Sequence, residues 1–169
     1  MGPRTTVFKE KCGYTGVYIL SRFVECNQEG VGMAYKQLGL VDLISAIQRK
    51  VEEQTDIKCH DTVPLNAKSP FYYAEVVGKR PAHTKTMWRD VFTVWIHVIA
   101  EPGESSVQIY KLIQKLEEAL TEDIVLPEEF ELIMQTNNGI QTIKKDETKE
   151  KHAVLAYEFM VCYGFKCKI

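Results

Sequence analysis

MWRDVFTVWIHVIA, residues 87–100, is the stretch on which the fold turns. Successive residues of an extended chain point to opposite faces. Phe92, Val94, Ile96 and Val98 therefore share one side, and Arg89, Val91, Thr93, Trp95 and His97 share the other. One side is wholly apolar and the other mixed. That is the signature of a strand in an antiparallel sheet, with one face on a core and one partly solvated. The same stretch holds the longest apolar run without a charge, ten residues from Val91 to Ala100. A membrane-spanning helix needs about 20, so no membrane partner is expected.

Outward from this strand, the chain alternates in character. FYYAEVV, residues 71–77, reads as a second strand from its aromatic and β-branched content, closed by Gly78, and residues 79–86, broken by Pro81, read as a basic loop. Upstream, Leu40, Leu43, Ile44, Ile47 and Val51 recur at helical spacing, while Gln48, Arg49, Lys50, Glu52 and Glu53 cover the other side. A helix over 40–54 follows, ended by Thr55-Asp56, with a short extended piece at 57–60. Pro64 and Pro70 bracket the approach to the 71–77 strand.

Downstream, Glu101-Pro102-Gly103-Glu104 is a turn and Ser105-x-x-Gln108 has the form of a capping box. A second amphipathic helix over 106–121 carries Ile109, Leu112, Ile113, Leu116, Ala119 and Leu120 on its apolar stripe. Asn138-Gly139, between 131–135 and 140–144, predicts a hairpin with a two-residue turn, because both positions tolerate positive φ. The charged run 144–151 is a solvated loop, and residues 152–166 alternate as a last strand. GVYILSRFVEC, residues 16–26, is a further strand candidate. Strands in runs rather than alternating with helices indicate α+β: a mainly antiparallel sheet with two amphipathic helices packed on one face. Residues 1–35 form an N-terminal arm and strand to which the sequence assigns no role, and residues 36–169 form the α+β domain.

The 169 residues are enough for one domain that buries roughly 70% of its unfolded surface, with no need of metal or disulfide. Charge is nearly balanced, 21 basic against 23 acidic residues, without the basic excess by which stable nucleic-acid binding is recognised. Cys12, Cys26, Cys59, Cys162 and Cys167 are odd in number and lack export features at the N-terminus, which fits reduced thiols in a cytoplasmic setting. Cys59-His60 and the Cys162, Cys167 spacing do not present ligands in the close pairs zinc requires, so no metal or other cofactor is expected. His83, His97 and His152 have no nucleophile context around them. His97 reads as a hydrogen-bonded sheet residue, and no catalytic residue is assigned. Gly30-Val31-Gly32 lacks the third glycine of a phosphate loop. Aromatics concentrate in strands with apolar residues on both faces. Trp88, Trp95, Tyr157 and Tyr163 are accordingly the candidates for a subunit interface.

The order of these features resembles the phage tail-completion family, the tail terminators and head–tail joining proteins of long-tailed phages and prophages. The resemblance runs over about residues 40–166. It rests on the first helix, VPLNAKSPFYYAEVVG (63–78), the basic loop, RDVFTVWIHVIAE (89–101), the amphipathic helix and KHAVLAYEFMVCYGF (151–165). Residues 1 to about 35 depart from it. The resemblance implies a non-enzymatic virion protein that is assembled in the host cytoplasm. Its copies form a ring, six by the resemblance, on the head-proximal end of a tail tube, end tail elongation and join the tail to the neck. The implied partners are further copies of itself, the tail tube protein and a neck or head-completion protein, with DNA passing only transiently through a central channel. The alternative reading is a small intracellular enzyme or ligand-binding domain, which would need a deep pocket with convergent polar groups.

Overall fold

The computed structural model describes residues 35–63, 68–145 and 150–166. The strand expected at 16–26, the arm 1–34 and Cys12, Cys26 and Cys167 lie outside them. Within the described residues the order is α1 (Leu40–Thr55), β1 (Cys59–His60), β2 (Phe71–Pro81), β3 (Met87–Ala100), α2 (Val107–Ala119), β4 (Glu131–Lys145) and β5 (Lys151–Phe165). One five-stranded sheet runs β1-β2-β3-β5-β4, antiparallel except for the short parallel β1–β2 pair. The α+β class stands, with both helices over one face.

That face is the apolar side foreseen for β3. Phe92, Val94, Ile96 and Val98 are buried together with Ala153, Leu155, Tyr157, Phe159 and Val161 of β5. Leu43, Ile47 and Val51 of α1 and Ile109, Ile113 and Leu116 of α2 close over them. Polar side chains fasten the layers. Tyr72 Oη donates to the Leu112 carbonyl at 2.9 Å, and Lys151 Nζ donates to the Glu104 carbonyl at 2.9 Å and to Ser106 Oγ at 3.0 Å. Glu52, near the end of α1, accepts from the Cys59 amide at 3.0 Å and so sets where β1 begins.

Three local expectations are corrected. The capping box is not formed: Ser106, not Ser105, is the N-cap of α2 and has no side-chain cap bond. The Ser106 hydroxyl is taken by Lys151, and Ser105 Oγ accepts from the Val107 amide at 3.3 Å. β2 does not stop at Gly78 but continues to Pro81, passing an irregularity between Val76 and Gly78. Proline is tolerated there because β2 pairs with β1 only at Tyr72 and Tyr73, leaving Pro81 on an edge.

The largest correction is at Asn138-Gly139, where no hairpin exists. β4 is one strand of 15 residues running straight past it. Gly139 does adopt positive φ, +80°, but in a β-bulge, with its amide donating to Asn137 Oδ1 at 2.7 Å. The register slips between Leu132 and Met134, between Asn137 and Ile140, and between Ile140 and Thr142. Each slip inserts one extra residue and reverses the in–out alternation. Consequently Leu132, Gln135, Asn137, Ile140 and Ile143 all lie opposite helix-face residues of β5. These spacings of two and three residues hide the strand from any period-two reading.

An added Cβ at Gly139 meets nothing within 4 Å, so a substitution there is opposed by backbone conformation alone. Gly139→Val is expected to lower stability by about 1–3 kcal/mol, and Gly139→Asn by much less. Chemical denaturation of the two variants checks this; equal losses would show that the bulge, not φ, sets the cost.

Candidate functional site

The four interface candidates fall in three different places. Trp88 and Tyr163 lie at the same end of the sheet, where β3 begins and β5 ends. Tyr35, in the segment leading into α1, stacks on both, with ring centroids 4.7 Å from Trp88 and 5.5 Å from Tyr163. Lys166 Nζ lies 4.0 Å from the centre of the Trp88 ring, a cation–π contact. Tyr163 Oη donates to Asp90 at 3.0 Å, and Lys79 Nζ pairs with the same carboxylate at 3.1 Å. Asp90 is buried, and these two donors are what make a carboxylate tolerable there. Burial, and then the bond to Asp90, push the Tyr163 hydroxyl pKa up. These aromatics thus seal the sheet end of their own subunit.

Trp95 sits on the opposite, helix-free face and is 39% exposed. Beside it the sheet builds a polar chain across three strands. His97 of β3 is bonded through Nε2 to Glu75 of β2 at 3.0 Å and through Nδ1 to His152 Nε2 of β5 at 2.7 Å. Tyr73 stacks on His97 with centroids 4.0 Å apart. The bond between two imidazole nitrogens needs one proton shared between them, so the pair does not accept a full proton on each facing nitrogen. Burial lowers the His97 pKa, against the Glu75 carboxylate, which raises it. His97 is therefore the hydrogen-bonded sheet residue that the sequence indicated.

Tyr157 is enclosed by its own subunit, with 1% of its surface exposed, and stacks on Phe159 with centroids 6.4 Å apart. Unlike Tyr72, its hydroxyl is buried without a hydrogen-bond partner among the described residues. It lines a cleft of about 560 Å³ between the end of α2 and β4, with Gln114, Glu117, Glu118, Leu120, Thr121, Gln135 and Asn137. Gln135 fixes one wall: its Nε2 donates to the Leu120 and Glu122 carbonyls, and its Oε1 accepts from the Ile124 amide. Asn137 Nδ2 donates to Glu117 at 3.3 Å, and Gln114 Nε2 to Glu118 at 2.8 Å. Burial, with the Glu117 charge adding, raises the Tyr157 pKa. Nothing linear marked this cleft, because Glu117-Glu118 reads as the solvated side of a helix.

Cys59 points into the core, where burial, reinforced by Glu52, drives its thiol up to about 12, while His60 rests against Phe71. Among the described residues no group of three or more His, Cys, Asp or Glu side chains is placed to hold a metal ion, and no helix is long and apolar enough to cross a membrane. Among the described residues the arrangement offers aromatic and charged surface.

Comparison with known proteins assigns the family. A family described as "Putative tail termination protein", a phage tail terminator family, matches residues 34–169. The chain belongs to it. It is a structural protein of phage-type tails and a virion component. No curated protein matches the sequence. A solved chain titled "Virion of native gene transfer agent (GTA) particle" shares the fold with a TM-score of 0.56 at 17% identity, over 72% of this tail protein and 96% of that chain.

Because the pKa of folded His97 lies below its ordinary value, its contribution is fully present above about pH 6.5 and lost as pH falls through the folded value. Melting temperature is expected to drop between pH 7 and pH 5, and His97→Gln is expected to flatten that dependence. A thermal melt series for both proteins checks it; identical slopes would remove His97 as the cause.

Proposed function

We propose that the protein closes the head-proximal end of a tail tube as a ring of identical subunits, six in number, ending tail elongation and docking the head or neck. The observation that carries this reading is the match to a tail-termination family over residues 34–169. The physical features support it. Charge is balanced, as suits a ring that meets protein first and passing DNA only transiently. Exposed apolar side chains, among them Trp95, Tyr110, Ile140 and Ile143, are spread over both sides of the sheet and along α2, more than one contact would need. Such a ring does no chemistry: its work is binding, and it forms in the host cytoplasm before the virion is complete. Its partners are its own copies, the tail tube protein and the neck or head-completion protein. Of the four aromatic candidates, Trp95 presents its own surface to a neighbour, whereas Trp88, Tyr157 and Tyr163 act by shaping the surface above them. The arm, residues 1–35, adds a contact between neighbours.

Two identical patches facing each other give a two-fold dimer, whereas a head-to-tail contact generates a ring when the rotation closes. Full-length protein, concentrated or mixed with purified tail tubes, is expected to give rings with a central hole by negative-stain imaging and six-fold masses by native mass spectrometry. Deleting residues 1–35 is expected to weaken ring formation. A chain that remains monomeric and never joins tail tubes would overturn the ring and restore the enzyme or ligand-binding alternative.

A further inference from the structure

The cleft above Tyr157 combines two observations that point to one ligand chemistry. Its rim is acidic: Glu117 and Glu118 line it, while Glu122, four residues further on, is already paired with Lys50. Its floor holds a hydroxyl that is buried and unpartnered. A buried hydroxyl left unsatisfied is costly, and none of the described residues offers it a partner. Two carboxylates and one hydroxyl oxygen are three acceptors at one place. An ammonium group carries three donors and no acceptor, and it sits at the end of a flexible four-carbon stem.

The β2–β3 hairpin provides that group. Lys79, Arg80, His83, Lys85 and Arg89 gather around it, and the one acidic side chain among them, Asp90, is buried against Lys79 and Tyr163. Arg80 is paired with Glu158, and Arg89 Nε is bonded to the Ala82 carbonyl. Lys85, at the tip, is exposed and makes no side-chain bond among the described residues. It cannot reach the cleft of its own chain. Tyr157 lies eight residues along β5 from Phe165, which is opposite Met87. At about 3.3 Å per residue that is roughly 26 Å, several times the length of a lysine side chain.

We propose that the α2–β4 cleft is a receptor for the Lys85 ammonium of a second copy, held by Glu117, Glu118 and the Tyr157 hydroxyl. Donor tip and acceptor cleft are different surfaces of one chain, so the contact is head-to-tail, the kind that closes a ring rather than a two-fold dimer. The inference rests on the ring reading and names the surfaces that make it. Because the contact is charge-assisted, it weakens with added salt.

The test uses full-length protein on tail tubes and at high concentration. Tyr157→Phe removes a hydroxyl that has no partner in the isolated subunit, so the melting temperature of the monomer is expected to hold or rise. The concentration needed for assembly is expected to increase about tenfold, the loss of one hydrogen bond to a charged group. Lys85→Glu, and separately Glu117→Lys with Glu118→Lys, are expected to block assembly, and a mixture of the two variants to recover it by pairing reversed charges. The Glu117→Gln, Glu118→Gln variant covers the case in which the double lysine chain fails to fold. If the wild-type chain forms no ring, the ring reading itself falls. If it forms rings that Lys85→Glu leaves intact, or if the mixture is not rescued, the ring stands and this contact is overturned. Loss of assembly on changing the cleft but not Lys85 overturns the second copy as the occupant in favour of a basic group on another tail protein.

Discussion

The antiparallel register between β3 and β5 is the constraint on which the rest depends. Met87 through Ala100 lie residue by residue against Lys151 through Phe165, with one slip next to Trp88. A one-residue shift anywhere along this pair would turn Phe92, Val94, Ile96 and Val98 out to solvent. Their burial under α1 and α2 therefore fixes the register, and the register in turn fixes what meets on the other face. His97 faces His152 only because Ile96 and Val98 face the helices. The core and the polar chain are two faces of a single alignment.

Buried polar groups occur at three levels along this spine, and they are handled differently. At the sheet end, Asp90 is matched by Lys79 and Tyr163. At the other end, Lys151 is matched by the Glu104 carbonyl and Ser106, which also positions the start of α2. In between, Tyr72 finds the Leu112 carbonyl while Tyr157 finds nothing. Sheets and helices normally leave few such groups unmatched. Tyr157 is left next to acidic side chains and open space, the setting in which the proposed contact would complete it from outside the subunit.

The sequence showed the class and the spine because both depend on plain periodicity. β3 and β5 each keep one wholly apolar side over most of their length, and α1 and α2 carry apolar stripes. β4 was legible only in part, since three bulges reset its phase and turn a strand into an aperiodic string with an Asn-Gly inside it. The positive φ at Gly139 was legible; whether it would serve a turn or a bulge was not, because that choice is made by β5, which pairs with both halves of β4. The capping box failed for a similar reason. A lysine 46 positions downstream of Ser105, Lys151, engages the neighbouring serine and shifts the cap by one residue. The candidate aromatics were found by type, but their separate roles depend on the face and level at which the register sets each one.

The bulges of β4 bear also on how subunits meet. A strand of 15 residues at a sheet edge is a template for adding another strand, and bulges are one of the devices by which such edges are blunted. With three of them, β4 is poorly suited to extending the sheet into a neighbour, although it is long enough to do so. The same bulges hold Gln135 and Asn137 toward α2, where they form one wall of the acidic cleft. An interface made by side chains entering that cleft is therefore compatible with this edge, whereas one made by backbone pairing along β4 would first have to straighten it. In the proposed ring, side-chain recognition would also suit a subunit that stays apart until a tail end is available. Pairs of exposed charges contribute little one at a time and gain strength when several contacts close together around a ring.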